Sequence, residues 1–301
     1  MGPTSPARVA ALVLRLSGPA RRIARSVVEA LPPPLKDRID GYRVAWVQRG
    51  LVPPSKVSPA DNVGYNSEIW DWYAERWNDP VFRSHQLSYE GRTGEDPAAV
   101  ARLGEEWGRL DDVIQIIDEW ILPHVGPSSV CGEIGTGGGR VAVRVAPKVG
   151  EFHAFDISKK MLALVQAELA AVAGARFHHL GEPALPAELS GHFDFLYSFD
   201  VFVHLDLHVQ WRYLQEITRA LKPGGKAFLH TANLTSDAGW QRFAEQAHYR
   251  VEGFYFTTPQ AVRTLVERAG LRVIEERSGG SANFYYERDL FVLVEKATTT
   301  A

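Results

Sequence analysis

A glycine-rich segment at 133–139 (EIGTGGG) has the composition and position of a loop that binds a nucleotide-type cofactor. It follows a short apolar run at 128–134 and precedes a helical pattern that begins near Arg140. Glycines at such a junction let the backbone turn tightly and approach a ligand that side chains would block. Alone, the loop is compatible with nicotinamide, flavin and S-adenosylmethionine (SAM) cofactors.

A carboxylate downstream narrows the choice of cofactor. Asp156 ends the next apolar run, 21 residues after Gly135. A carboxylate in this position can accept hydrogen bonds from both hydroxyls of a ribose. Alternatively, Asp156 could serve as a negative charge near the N-terminus of the helix that Ser158 caps. The glycine-rich loop upstream favours the ribose role.

The elements that must position these residues alternate between strand and helix from residue 128 onward. Apolar runs predict seven strands, at 128–134, 151–155, 176–180, 193–198, 226–230, 271–275 and 289–295. Helical patterns lie between them, and Thr258 with Pro259 gives one helix a cap and a first-turn proline. This alternation predicts an α/β fold with a doubly wound, mostly parallel sheet covered by helices on both faces.

The residues before this sheet form a different kind of segment. We expect an N-terminal helical arm and cap over 1–95 and the sheet domain over 96–301. Residues 1–50 hold nine basic and three acidic side chains, so the arm is basic. An aromatic-rich helix is predicted at 67–77, and residues 81–96 are expected to form a loop. The arm suits packing on the main domain or on a second copy of the chain, and a weak peripheral membrane contact is the alternative.

Composition limits the partners and the compartment. The net charge is −3, and residues 96–301 contain no dense basic patch, so we expect no nucleic-acid partner. The chain has 1 Cys, and no apolar run approaches the roughly 20 residues of a membrane span. A cytoplasmic location is the expectation that fits this composition.

Four segments in order resemble the class I SAM-dependent methyltransferases, which have a Rossmann-like fold. They are 130–140 (VCGEIGTGGGR), 155–162 (FDISKKML), 193–205 (FDFLYSFDVFVHL) and 220–226 (ALKPGGK). The resemblance covers about residues 96–301. It implies a seven-stranded sheet whose last strand inserts antiparallel beside the fifth, a feature that dinucleotide-binding folds lack. Residues 103–108 (LGEEWG) and 198–204 (SFDVFVH) are similar to bacterial members that act on sugars or other small molecules.

The same resemblance implies SAM as the cofactor and assigns roles to particular residues. Glu133, Gly135 and Gly137 would border the amino-acid end of SAM, and Asp156 would hold its ribose. The other implied contacts are Ile157, Met161 and Glu182 around the adenine, with Ser198 and Phe199 under the sulfonium. Ile157 and Met161 could equally be core residues at these positions.

The acceptor pocket of this fold lies beyond the carboxyl ends of the strands. His204 is the predicted general base for a hydroxyl acceptor, Asp200 is expected to orient it, and His230 is the second candidate base. Asp200, His204 and Asp206 could also ligate a divalent ion, but carboxylates beside a base more often orient it, so we assign no metal.

These residues predict methyl transfer from SAM to a hydroxyl of a small molecule. A sugar or sugar-containing metabolite is favoured, because tryptophans at 70, 72, 107 and 240 suit the faces of sugars. The alternatives are N- or C-methylation of another small metabolite and a non-catalytic SAM-binding module. The segments 61–95 and 232–257 are expected to cover the acceptor pocket.

Overall fold

The computed structural model describes residues 61–89, 92, 94–246 and 254–298. Residues 1–60 lie outside this range, and with them the predicted basic arm. All the described residues belong to the compact unit Val57–Ala301.

The core of this unit is a seven-stranded sheet. Its strands are β1 (Val130–Ile134), β2 (Glu151–Asp156), β3 (Ala175–His179), β4 (Phe193–Ser198), β5 (Leu221–Ala232), β6 (Leu271–Arg277) and β7 (Asp289–Lys296). They are arranged in the order β3-β2-β1-β4-β5-β7-β6. β1 to β5 pair in parallel, whereas β7 pairs antiparallel with both β5 and β6. The predicted doubly wound sheet with an antiparallel last strand is therefore confirmed.

Nine α-helices surround or precede the sheet within the described residues. They are α1 (Asn62–Arg76), α2 (Pro80–Tyr89), α3 (Leu110–Ile116), α4 (Ala142–Val145), α5 (Lys159–Glu168), α6 (Leu207–Ala220), α7 (Asp237–Glu245), α8 (Pro259–Arg268) and α9 (Phe284–Arg288). Two buried apolar clusters pack the helices against the sheet, one containing Trp120 and Phe228 and the other Phe193 and Ile217. None of the described helices has the length and apolar character needed to cross a membrane.

The prediction of a loop at 81–96 is wrong for its first half, because α2 occupies Pro80–Tyr89. Proline is well tolerated in the first turn of a helix, where its missing N–H would have no helical partner. The Asp79 side chain accepts a hydrogen bond from the backbone N–H of Val81, 2.9 Å away, and so satisfies a free donor at the helix start. Asp79 and Pro80, which were expected to end the preceding helix, therefore begin α2.

Helix α1 packs on the sheet domain at the start of α5. The Ser67 hydroxyl donates to the carbonyl of Ile157 at 2.9 Å, and Asp71 Oδ1 accepts from the Ser158 hydroxyl at 2.6 Å. The backbone N–H of Lys160 donates to the same Asp71 oxygen at 3.1 Å. Asp71 therefore supplies an acceptor and a negative charge at the positive end of α5.

The strand order determines where a ligand can enter. The chain moves outward in one direction from β1 to β3 and in the other direction from β4 onward. The connections after β1 and β4 therefore leave opposite faces of the sheet, and a crevice opens between them at the carboxyl ends of these strands.

Candidate active site

A cleft occupies this crevice. It is lined by the glycine-rich loop, the residues at and after the ends of β2 and β4, α1, and the side chains of Leu103 and Trp107. The lining residues that were predicted from the sequence are Glu133, Gly135, Gly137, Asp156, Ile157, Met161, Phe199, Asp200 and His204. The structure thus brings most of the predicted cofactor residues and the first-choice base together in one cleft.

Two glycines explain the shape of the loop after β1. Gly135 has a φ of +77°, and a Cβ placed there would lie 2.3 Å from a methyl group of Val201. Gly137 has a φ of +54°, and the space where its Cβ would lie is open. The first glycine therefore permits close packing against the loop after β4, and the second leaves room for a ligand at the cleft wall.

Asp156 is held at the end of β2 by backbone amides. The Gly137 N–H donates to Oδ2 and the Ser158 N–H donates to Oδ1, each at 2.8 Å. A carboxylate has about four lone-pair positions, so two acceptor positions remain for hydroxyls. Burial raises the pKa of Asp156 to about 6, although the amides of Ser158 and Gly137 oppose this shift.

Glu133 lies deeper, at the end of β1. Its Oε2 accepts hydrogen bonds from the Thr136 hydroxyl at 3.0 Å and the Tyr197 hydroxyl at 3.1 Å. Burial raises the pKa of Glu133 to about 8, because its hydrogen bonds and the positive Arg140 only partly offset the loss of water. Glu133 and Asp156 thus place two buried acidic groups on one wall of the cleft, which suits a positively charged ligand.

Two of the predicted cofactor residues lie elsewhere. Ser198 is fully buried and donates to the carbonyl of Ile134 at 3.0 Å, so it ties β4 to β1 without lining the cleft. Glu182 is exposed in the loop after β3 and does not line the cleft. Ser198 precedes the cleft-lining Phe199 in the sequence, but its hydroxyl is bonded to β1 and does not reach the cleft.

Asp200 is in the left-handed region, with a φ of +60°, at the turn after β4. Its carboxylate forms an ion pair with Arg140 and lies 3.5 Å from Nδ1 of His230. Burial would raise the pKa of Asp200, but the positive charges of Arg140 and then Arg288 oppose this effect, and the pKa is lowered to about 2. The carboxylate is therefore ionised and serves to anchor Arg140 at the cleft.

His230 is fully buried on β5, and both of its ring nitrogens are engaged. Nδ1 accepts from the backbone N–H of Asp200 at 3.1 Å, and Nε2 lies 2.9 Å from Oδ2 of Asp289. Accepting at Nδ1 places the proton of a neutral ring on Nε2, where it donates to Asp289. His230 does not line the cleft, so this arrangement suits a structural role better than proton abstraction.

His204 ends a short 3-10 turn, Phe202–His204, and faces the cleft. Its ring lies between Trp70 of α1, with ring centroids 5.4 Å apart, and Phe254, at 5.6 Å. Asp206, considered above as a metal ligand, accepts from the backbone N–H groups of His208 and Val209 and caps α6. The imidazole is therefore positioned by aromatic neighbours at the mouth of the cleft.

Two residues that shape the cleft are not among those predicted from the sequence. Asn66 of α1 is 1% exposed and donates to the carbonyl of Asn62 at 2.7 Å, whereas its Oδ1 has no hydrogen-bond partner. Arg140 is buried, donates to the carbonyl of Gly104 at 2.9 Å and lies against the rings of Trp107 and Phe199. The four-residue spacing of Asn62 and Asn66 was the available signal for a polar pair on one helical face.

These features define a Rossmann-like enzyme whose cleft suits a nucleoside cofactor that carries positive charge. The open space at Gly137 leaves room for bound SAM, and the spare acceptor positions of Asp156 suit the hydroxyls of its ribose. The family model described as a methyltransferase domain matches residues 112–276, which is more than half of the chain. The chain therefore belongs to this methyltransferase family and is a SAM-dependent enzyme.

Solved structures agree with this fold. Magnesium protoporphyrin IX methyltransferase (ChlM) from Synechocystis PCC 6803, with bound S-adenosylhomocysteine (SAH), is 13% identical, with a TM-score of 0.52 and coverage of 75% of this chain and 98% of that one. The [4+2]-cyclase SpnF is 14% identical, with a TM-score of 0.50 and coverage of 62% and 81%. No curated protein matches the chain by sequence.

Proposed function

We propose that the enzyme transfers the methyl group of SAM to a hydroxyl of a small molecule, with a sugar or sugar-containing metabolite as the favoured acceptor. The observation that carries the proposal is the juxtaposition of His204, Trp70 and the unpaired Oδ1 of Asn66 on the α1 side of the cleft. This side offers a base, a flat apolar face and a hydrogen-bond acceptor, which together suit a polyhydroxylated ring.

The cofactor side of the proposal rests on Asp156 and the glycine-rich loop. Asp156 would accept the ribose hydroxyls, Gly137 would leave room for the backbone to approach SAM, and Glu133 would provide negative charge near its cationic end. Ile157, Met161 and Phe199 would pack around it as apolar wall residues. When bound, SAM supplies an activated methyl group on a sulfonium.

The protein's own contribution to transfer would be positioning and proton removal. Trp70 and Trp107 would hold the acceptor and exclude water, because their rings line the same cleft 5.5 Å apart. His204 would take the hydroxyl proton as the new bond forms, which suits an imidazole near neutral pH. His230 and Glu182 are left out of this scheme because neither lines the cleft.

The test is a screen of small-molecule acceptors with SAM labelled in its methyl group. We expect label in an O-methylated product and equimolar SAH. Label on nitrogen or carbon would replace the hydroxyl assignment. Conversion of a substrate without SAH release would favour a non-methylating use of the fold, of which the similar cyclase SpnF gives an example in its name.

A further inference from the structure

A second group of chemically active side chains lies at the end of the strands opposite the cleft, where β2 and β4 begin. Glu151 and His153 stand at the beginning of β2, and His192 immediately precedes β4. Asp156, at the far end of β2, is five residues from Glu151, about 16 Å along an extended strand. The group is therefore separate from the cofactor cleft and plays no part in the scheme above.

The donor atoms of the three side chains converge. Oε1 of Glu151 lies 2.7 Å from Nε2 of His153 and 3.4 Å from Nε2 of His192, and the ligand atoms of all three lie within 4.8 Å of one another. Ligands held about 2.0–2.2 Å from one tetrahedral ion are separated by similar distances. Only small side-chain movements would be needed to place one ion among them.

We propose that Glu151, His153 and His192 form a zinc site, with water as the fourth ligand. Two imidazoles and one carboxylate are a ligand set that zinc uses in proteins. The His192 and Glu151 side chains are 34% and 35% exposed, which gives an ion access from solvent, whereas His153 is 4% exposed and forms the buried floor of the site.

His178 of β3 supplies the partner that a metal-binding histidine requires. Its Nε2 lies 2.9 Å from Nδ1 of His153, and the two rings are parallel within 1°. With zinc on Nε2, the proton of the neutral His153 ring sits on Nδ1 and donates to His178. Such a contact fixes the tautomer and orientation of a metal-binding imidazole.

The site would join parts of the chain that are distant in sequence. It takes ligands from β2 and from the residue before β4, and its outer partner from β3. An ion held there would bind the folded chain in preference to the unfolded one, and so would raise the unfolding temperature.

The test is calorimetric titration of tag-free protein with zinc chloride, with His192→Ala as the variant and His208→Ala as the control. His208 is a fully exposed histidine at the start of α6, on the cofactor side. We expect one zinc ion per wild-type or His208→Ala chain, and an affinity lower by on the order of 100-fold or more in His192→Ala.

Cobalt provides a second measurement that does not depend on folding stability. Co²⁺ in the wild-type site should give the intense visible absorption of a tetrahedral complex, and Glu151→Gln should weaken it. Equal zinc affinity in wild type and His192→Ala, or a cobalt spectrum unchanged in both variants, would overturn the proposal. SAM affinity should be the same in all of these proteins, so the outcome is independent of the cofactor assignment.

Discussion

The backbone N–H of Gly137 donates a hydrogen bond to Asp156, 2.8 Å away, and so fastens the loop after β1 to the end of β2. The same carboxylate therefore organises the loop and presents its remaining acceptor positions to the cleft.

Replacing Asp156 by alanine should remove the acceptor for the ribose hydroxyls. Hydrogen bonds to a charged group are worth about 1.5–3 kcal/mol each, so the loss of two should weaken SAM binding by at least about 100-fold. Calorimetric titration with SAM measures this, with circular dichroism to verify the fold. Asp111→Ala, at an exposed position in the first turn of α3, is the control and should bind normally. Unchanged SAM affinity in Asp156→Ala would remove this residue from the cofactor site.

Gly137→Ala places a methyl group in the open space of the cleft. We expect a loss of SAM affinity of about 10-fold or more, because the methyl group occupies room needed for close approach of the cofactor. Gly191→Ala is a matched control, because Gly191 also has a left-handed φ, +61°, and open space at its Cβ position, but it lies in the turn before β4. Both variants should lose similar stability from backbone strain. Equal SAM affinity in the two variants would count against this role for Gly137.

The pKa values of Glu133 and Asp156, raised by burial to about 8 and about 6, predict a pH dependence of SAM binding. A cationic ligand prefers ionised acids, so SAM affinity should rise as the pH increases from 5.5 to 8.5, by at most about tenfold per pH unit for each coupled proton. In Glu133→Gln, the rise in SAM affinity above pH 7 should disappear, whereas the rise near pH 6 should remain. Calorimetry in buffers of different ionisation enthalpy would count the protons released. A flat profile in wild type would contradict the prediction.

His204→Ala should lower turnover with a hydroxyl acceptor by about 10²–10⁴-fold and leave SAM affinity nearly intact. The remaining activity should increase with pH, as the acceptor hydroxyl ionises without help. Steady-state rates at saturating acceptor measure the effect, and His208→Ala serves as the control on a fully exposed histidine. Wild-type turnover in His204→Ala at pH 7 would exclude His204 as the base.

Asp200→Asn should destabilise the protein, because it removes the charge that pairs with the buried Arg140. Breaking a buried ion pair costs about 3–5 kcal/mol, whereas an exposed pair is worth about 0–1 kcal/mol. Asparagine tolerates the left-handed φ of position 200, so backbone strain should change little. Urea unfolding measures the difference, and Glu295→Gln, in which a partly exposed glutamate loses its pair with the exposed Arg272, is the control. A similar, small loss in both variants would show that Asp200 contributes little to stability.

The sequence was sufficient for features encoded over short distances. Apolar runs located the seven strands, and the glycine-rich loop with Asp156 indicated one wall of the cleft, because strand ends place these residues together in any fold of this class. The antiparallel β7 followed from the family resemblance and is confirmed. The helix Asp237–Glu245 was missed, although Ser236 caps it and Trp240 and Phe243 have the three-residue spacing of a helical face.

Contacts between distant parts of the chain could not be predicted from local sequence patterns. Arg140 and Asp200 are 60 residues apart, and no local pattern indicates that they pair. The burial of Asn66 depends on where α1 packs, which its own sequence does not specify. The α1 side of the cleft is made largely of such contacts, and this is why the side formed by the strand ends was easier to predict.

The packing of α1 against the start of α5 has a consequence for protein engineering. A fragment that starts at residue 96, the predicted domain boundary, would contain the seven strands described above but would lose Asn66 and Trp70 from the cleft and Asp71 from the start of α5. It would also leave Glu106, which now accepts a 2.8 Å hydrogen bond from Tyr73, without that donor. Chimaeras intended to exchange acceptor preference between related enzymes should therefore carry α1 together with the sheet, with the junction placed before residue 61.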